Sequence, residues 1–161
     1  MSKYATNLDQ LINMLTDEVT DVMNSDVGKK AADVTKRNID KSVYKYDPEE
    51  YQRTYQLRDS IKNFPAKVVG NTVEVEIDHD KSMIISDPDN YTHGSPYYSP
   101  QNISSFLDII VAEGKSGDLF GNGFWRQKRQ YFNVTVQDLI QTGEHIQAMK
   151  AGFRRKGYDV R

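Results

Sequence analysis

Acid–base or metal chemistry in this chain would have to be built from three histidines, His79, His93 and His145, and they stand far apart. None belongs to an H-x-x-x-H or H-E-x-x-H spacing, so no helix face presents two imidazoles to a metal. Asp78 and Asp80 flank His79. In a strand, neighbouring side chains point to opposite faces, so both carboxylates lie across from the imidazole and read as charges at a strand end. Gly114-Lys115-Ser116 ends like a phosphate loop, but the glycine that would open such a loop is missing. Ser104-Ser105 lacks the G-x-S-x-G setting that exposes a nucleophile. There is no cysteine, which removes disulfides, thiolate metal sites and thiol nucleophiles. The expectation is a protein without a catalytic site, metal or cofactor, and not an enzyme.

What the chain offers instead is surface. The run Trp125-Arg126-Gln127-Lys128-Arg129-Gln130-Tyr131-Phe132 combines flat side chains with positive charge, and Arg154-Arg155-Lys156 close the C-terminal helix. These are ingredients of a partner interface. Trp125, Arg126, Lys128, Arg129, Arg154, Arg155 and Lys156 are therefore candidate contacts. A second candidate surface is the loop from Asp87 to Pro100, where three prolines stiffen the backbone and Tyr97 and Tyr98 ride on it. The basic aromatic run is also compatible with stacking on bases while its cations neutralise phosphates. The other reading of its rings is that Trp125, Tyr131 and Phe132 turn inward as core while the charges face a neighbouring subunit.

Charge distribution bears on that choice. Lys+Arg against Asp+Glu number 7 and 10 in residues 1–50, 6 and 10 in 51–123, and 8 and 3 in 124–161. A basic tail on an acidic body suits either nucleic acid or the acidic flank of an identical neighbour, and the overall pI of 5.9 favours the second. With 161 residues and 37% hydrophobic content the chain has room for one domain and a modest core. That domain spans 1–161, a helical segment over 1–47 followed by an α+β body over 55–161. No apolar run is long enough for a signal peptide or a membrane span, which predicts a soluble compartment and no membrane partner.

The elements follow from periodicity. Asn7 and Gln10 are spaced as a capping box, and Leu8, Leu11, Ile12, Leu15, Val19, Val22 and Met23 then form one apolar helical stripe. Ser25 and Gly28 weaken the pattern before Val27, Ala31, Val34 and Ile39 resume it, which fits one bent helix or two. Val73, Val75, Ile77 and His79 alternate with polar residues, predicting a half-buried strand. Gly70-Asn71 predicts a two-residue hairpin turn, with the partner strand over about 57–69 and an irregularity at Pro65. Ile103 to Glu113 is a short helix or a buried strand, since Phe106, Leu107, Ile109, Ile110 and Val111 are too continuous for periodicity to decide. Thr135 is expected to cap a last helix with Val136, Leu139, Ile140, Ile146, Met149 and Phe153 on its apolar face, Gly143 as a weak point and Gly157 as its stop.

Four stretches in this order carry a resemblance. They are Tyr51-Gln52-Arg53-Thr54-Tyr55-Gln56-Leu57-Arg58-Asp59-Ser60-Ile61, the strand Val73-Glu74-Val75, Ile110-Val111-Ala112-Glu113-Gly114, and Trp125 through Leu139 with the closing Lys156-Gly157-Tyr158. The chain resembles the tail-completion or head-tail joining (neck) proteins of tailed bacteriophages. Many of those read R-T-G-x-L-R-x-S where this chain has Arg53-Thr54-Tyr55-Gln56-Leu57-Arg58-Asp59-Ser60, so Tyr55 stands in the glycine position. An Arg-Pro pair often seen before the final helix is replaced by Arg129-Gln130. The resemblance implies an α+β subunit with an N-terminal helix or two, a small mostly antiparallel sheet and a C-terminal helix packed across it. It implies a structural virion protein: a homo-oligomeric ring, commonly sixfold, that completes or terminates the tail and allows head-tail joining. Its implied partners are itself, the tail tube protein, head connector proteins and DNA passing through the lumen. Its implied place is the virion neck, after assembly in the host cytoplasm. The alternative, from the residues alone, is a nucleic-acid-binding protein using 124–132 and the basic C-terminus.

Overall fold

Asn7 starts the first helix, as its spacing from Gln10 predicts. In the computed structural model, which describes residues 4–45, 54–84, 107–114 and 128–161, Asn7 Oδ1 accepts from the Gln10 N–H at 2.9 Å. Gln10 Oε1 reaches back to the Thr6 N–H at 2.9 Å, one residue earlier than in the usual capping box. Helix α1, Leu8–Val22, then runs through a π turn, Met23–Gly28, directly into α2, Lys29–Ser42. Of the two arrangements open from sequence, the single interrupted helix is the observed one. A π turn holds an extra residue, so everything after it is rotated by roughly 100°.

The π turn is also a docking point. Asn24 O accepts from Asn63 Nδ2 at 3.0 Å, and Asn24 Oδ1 accepts from the Ala66 N–H at 2.7 Å. Gly28 lets this approach happen, because a Cβ there would stand 3.0 Å from the Asn63 side chain.

Asn63 and Ala66 belong to one long antiparallel hairpin. Strand β1, Ile61–Asn63, pairs with β4, Ile77–His79, and β2, Lys67–Val69, pairs with β3, Thr72–Glu74. Between the two ladders the first arm has one residue more than the second, since Asn63 faces Ile77 and Lys67 faces Glu74. The bulge falls at Pro65, which has no N–H to contribute to a ladder. Gly70 turns the hairpin at φ 59°. Val73, Val75 and Ile77 are half-buried and His79 buried, while Thr72, Glu74 and Glu76 are exposed, the alternation expected. The first strand starts later than 57, because Leu57 lies in a short helix, α3, Gln56–Asp59.

Helix α3 is entered through Tyr55 at φ 55°, the only non-glycine described residue with positive φ. A side chain in that region costs roughly 1–2 kcal/mol. Here the ring is held edge-on by Tyr44 at a centroid distance of 4.9 Å and covered by the Arg58 guanidinium at 4.6 Å. Leu57 and Ile61 enter the core with Ala32, Ile39, Val43, Val111 and Tyr131. Val111 belongs to α4, Leu107–Glu113, so the ambiguous apolar run is a helix here, followed by Gly114 at φ 64°.

The C-terminal region departs from expectation in its boundaries. The helix begins at Tyr131, and Thr135 lies buried inside it, its hydroxyl donating to the Tyr131 carbonyl at 2.8 Å. Tyr131, fully buried, anchors the first turn. Gly143, at φ 64°, divides the segment into α5, Tyr131–Thr142, and α6, Glu144–Arg155. Helix α6 stops as predicted: Gly157 takes φ 95°, its N–H bonds to Arg154 O, and the Tyr158 N–H bonds to Phe153 O. That is a Schellman ending, completed by the Phe153 and Tyr158 rings 5.9 Å apart. The α+β class stands. Helix α5 lies along α2 and α6 along the π turn, and α5 meets the hairpin through Tyr131.

Two substitutions test this packing. An Ala at Gly152 would place its Cβ 2.7 Å from Asp26 Oδ2 and 2.8 Å from Val22 Cγ1. Gly152→Ala, which ordinarily stabilises a helix by about 1 kcal/mol, is expected to destabilise this one by about 1–3 kcal/mol in urea titration. At position 55 the usual order also inverts, and Tyr55→Gly is expected to be about 1 kcal/mol more stable than Tyr55→Ala.

Candidate assembly interface

The histidine that sequence reading placed on the buried face of a strand joins a directional hydrogen-bond chain. Ser60 Oγ lies 3.0 Å from Leu57 O and 2.7 Å from His79 Nδ1, and His79 Nε2 lies 2.8 Å from the Tyr131 hydroxyl. The single Ser60 proton goes to the Leu57 carbonyl, so the ring must donate from Nδ1. Nε2 is then the acceptor, and Tyr131 donates to it. A serine next to an imidazole invites a catalytic reading, but Ser60 and Tyr131 are fully buried and His79 is 3% exposed. The serine proton points at a main-chain carbonyl. The chain ties β1, β4 and α5 together. Among the described residues no group of acidic residues and histidines is arranged to hold a metal, and no helix is long and apolar enough to cross a membrane.

The candidate contact residues fall into three groups. Trp125, Arg126, Tyr97 and Tyr98 lie outside the described residues, as does the whole loop from Asp87 to Pro100. Lys128 is exposed, but Arg129, expected on the surface, is 7% exposed, its N–H directed at the carbonyls of Val111 and Ala112. Tyr131 and Phe132 turn inward, as the core reading of that run requires. Arg154, Arg155 and Lys156 are engaged within the chain. The Arg155 guanidinium grips both Asp26 oxygens at 2.8 Å, Lys156 pairs with Asp21 at 2.6 Å, and Arg154 donates twice to the Val160 carbonyl. The Tyr158 hydroxyl bonds to Glu18. The Arg155 contact holds the Asp26 carboxyl below its ordinary range. At the other end of α6, Glu144 pairs with Arg37 at 2.7 Å.

The available surface lies elsewhere. Leu8, Leu11, Ile12 and Leu15 form the apolar stripe of α1, yet Leu8 is 69% and Ile12 51% exposed, and the stripe enters the interior only at Val22. Val136 and Ile140, one turn apart on α5, are exposed as well. The sequence marks these residues as apolar faces. Periodicity reports which residues share a face, and it is silent on whether the same chain covers that face.

Burial makes the polar chain pH-sensitive. Desolvation pushes His79 below its ordinary pKa, opposed by Asp108 and Asp78 and assisted by Lys81. A histidine whose folded pKa is lowered binds its proton more readily when unfolded. Stability is therefore full above about pH 6.5 and falls as the pH drops from there to the lowered folded value, by at most about 1.4 kcal/mol per pH unit. Denaturant titrations at stepped pH are expected to show this slope in the native chain and to lose it in His79→Gln. Losses from Asp26, whose pKa is lowered, belong to the more acidic range below about pH 4.

Comparison with protein families matches residues 7–155 to the family YomN, whose name is phage-derived. No curated protein and no solved structure matches the chain. The match runs from the Asn7 cap to Arg155 at the end of α6 and so takes in every element described above. The chain thus belongs to the YomN family and is a phage-related protein.

Proposed function

We propose that this chain is a structural virion protein of a tailed bacteriophage, forming a ring at the head-tail interface that completes the tail and allows it to join the filled head. The observation that carries the reading is the turn at Tyr55. Neck proteins resembling this chain place glycine at that point of R-T-G-x-L-R-x-S, and here Tyr55 adopts φ 55°, the backbone region glycine favours. The rest of the pattern has structural work that fits the same turn: Leu57 is core, Arg58 covers the Tyr55 ring, and Ser60 receives the His79 N–H. The backbone region that glycine favours is thus kept here although the residue is Tyr55.

The uncovered apolar face of α5, with Val136 and Ile140 exposed, supports assembly, since faces of this kind mark contact surfaces. Nucleic-acid binding gains less support. Arg155 and Lys156, two of the cations it would use, already neutralise Asp26 and Asp21.

Light scattering across protein concentration and salt tests the ring. The expected outcome is a closed species of about six subunits. A mass that stays at 18.5 kDa under every condition would overturn a ring formed by this chain alone.

A further inference from the structure

We propose that the N-terminal half of α1 is a docking face for a basic amphipathic helix of a different protein. The face combines two properties. Its centre is the uncovered stripe Leu8, Leu11, Ile12 and Leu15. Its charge is acidic: residues 4–28 carry five carboxylates, Asp9, Asp17, Glu18, Asp21 and Asp26, and no lysine or arginine, and Arg155 and Lys156 of α6 answer only Asp26 and Asp21. On a helix of 3.6 residues per turn Asp9 and Glu18 border the stripe on its two sides.

The C-terminal end of α1 and the π turn that follows it show what such a surface accepts. There the occupant is α6: Gly152 closes on Val22, while Arg155 and Lys156 meet Asp26 and Asp21. An apolar contact flanked by cations that answer the helix's carboxylates is the mode of recognition already in use. The occupied face continues into the open one, since Val22 belongs to the stripe that begins at Leu8. The chain's own α6 and its Schellman ending stop at the level of Glu18, which Tyr158 reaches.

A second copy of α1 is the poorer occupant. Leu8, Ile12, Leu15, Val19 and Val22 do follow a 3.5-residue spacing, with leucine and β-branched residues alternating as far as Val19. Pairing two such helices, however, would bring two wholly acidic segments together. A basic helix removes that repulsion and completes the pattern set by α6. The inference is independent of a ring: a monomer can present this face, and a ring built on other surfaces leaves it open.

The test uses the full-length chain and two synthetic helical peptides of about three Leu/Ile heptads, one flanked by lysine and the other by glutamate. Fluorescence anisotropy is expected to show binding of the lysine peptide, weakening severalfold between about 0.05 and 0.5 M salt, and none of the glutamate peptide. Ile12→Ser/Leu15→Ser, at exposed positions, should weaken the lysine peptide at least about tenfold while circular dichroism stays unchanged, and Asp9→Asn should flatten the salt dependence. Equal binding of both peptides, or binding of neither, overturns the proposal. So does a homo-oligomer that Ile12→Ser/Leu15→Ser converts to monomer, which would assign the face to a second copy.

Discussion

The π turn at Met23–Gly28 is the constraint on which the rest of the molecule hangs. An α-helix consumes its own carbonyls, whereas a π turn frees one for an outside partner. Asn24 uses both its main-chain and side-chain oxygens to hold the hairpin where Pro65 interrupts the ladder. Two residues on, Asp26 holds α6. Glycines on each side, Gly28 toward β1 and Gly152 from α6, bring the backbones close enough for these bonds to form. Straightening the turn would rotate α2 and its buried face away from both neighbours together.

Electrostatics is organised around the same point. The basic tail and acidic front half suggest subunits joined head to tail, and in this structure several of those charges meet inside one chain. Arg155 and Lys156 answer Asp26 and Asp21, and Glu144 answers Arg37. Helix α6 therefore carries its acid at the N-terminal end and its bases at the C-terminal end, matching its own dipole as well as its neighbours. Opposite charge on two segments is evidence that they attract, and a single chain can satisfy that attraction before a second copy arrives.

Much of the fold was legible because local chemistry decides it. The Asn7 cap, the Gly70 turn, the interruption at Pro65, the alternation up to His79 and the stop at Gly157 each depend on a few adjacent residues. The failures have a common physical origin. Thr135 has the chemistry of a cap, but burial of Tyr131 four residues earlier moves the helix start, a tertiary contact overriding a local one. The π turn left only a weakening at Ser25 and Gly28, because an inserted residue has no composition of its own. Of the candidate interface, the residues were legible as apolar or basic, whereas their exposure was not: Arg129 is inside and Leu8 outside.

The buried chain through Ser60, His79 and Tyr131 shows why a modest core tolerates a polar centre. Its partners are 19 and 52 residues apart, so no local pattern announces it. Burying three polar groups adds little net stability compared with well-packed hydrocarbon. What the chain supplies is discrimination. Ile61 pairs with His79 in the β1–β4 ladder, and a slip of one residue would replace the imidazole with Asp78 or Asp80, neither of which can donate to Ser60 and accept from Tyr131 as the imidazole does. Both ends of the ladder are thus specified, by the Gly70 turn at one and by a single directional set of hydrogen bonds at the other. Helix α5 can dock only when that register is right, because its first residue donates the last bond of the chain.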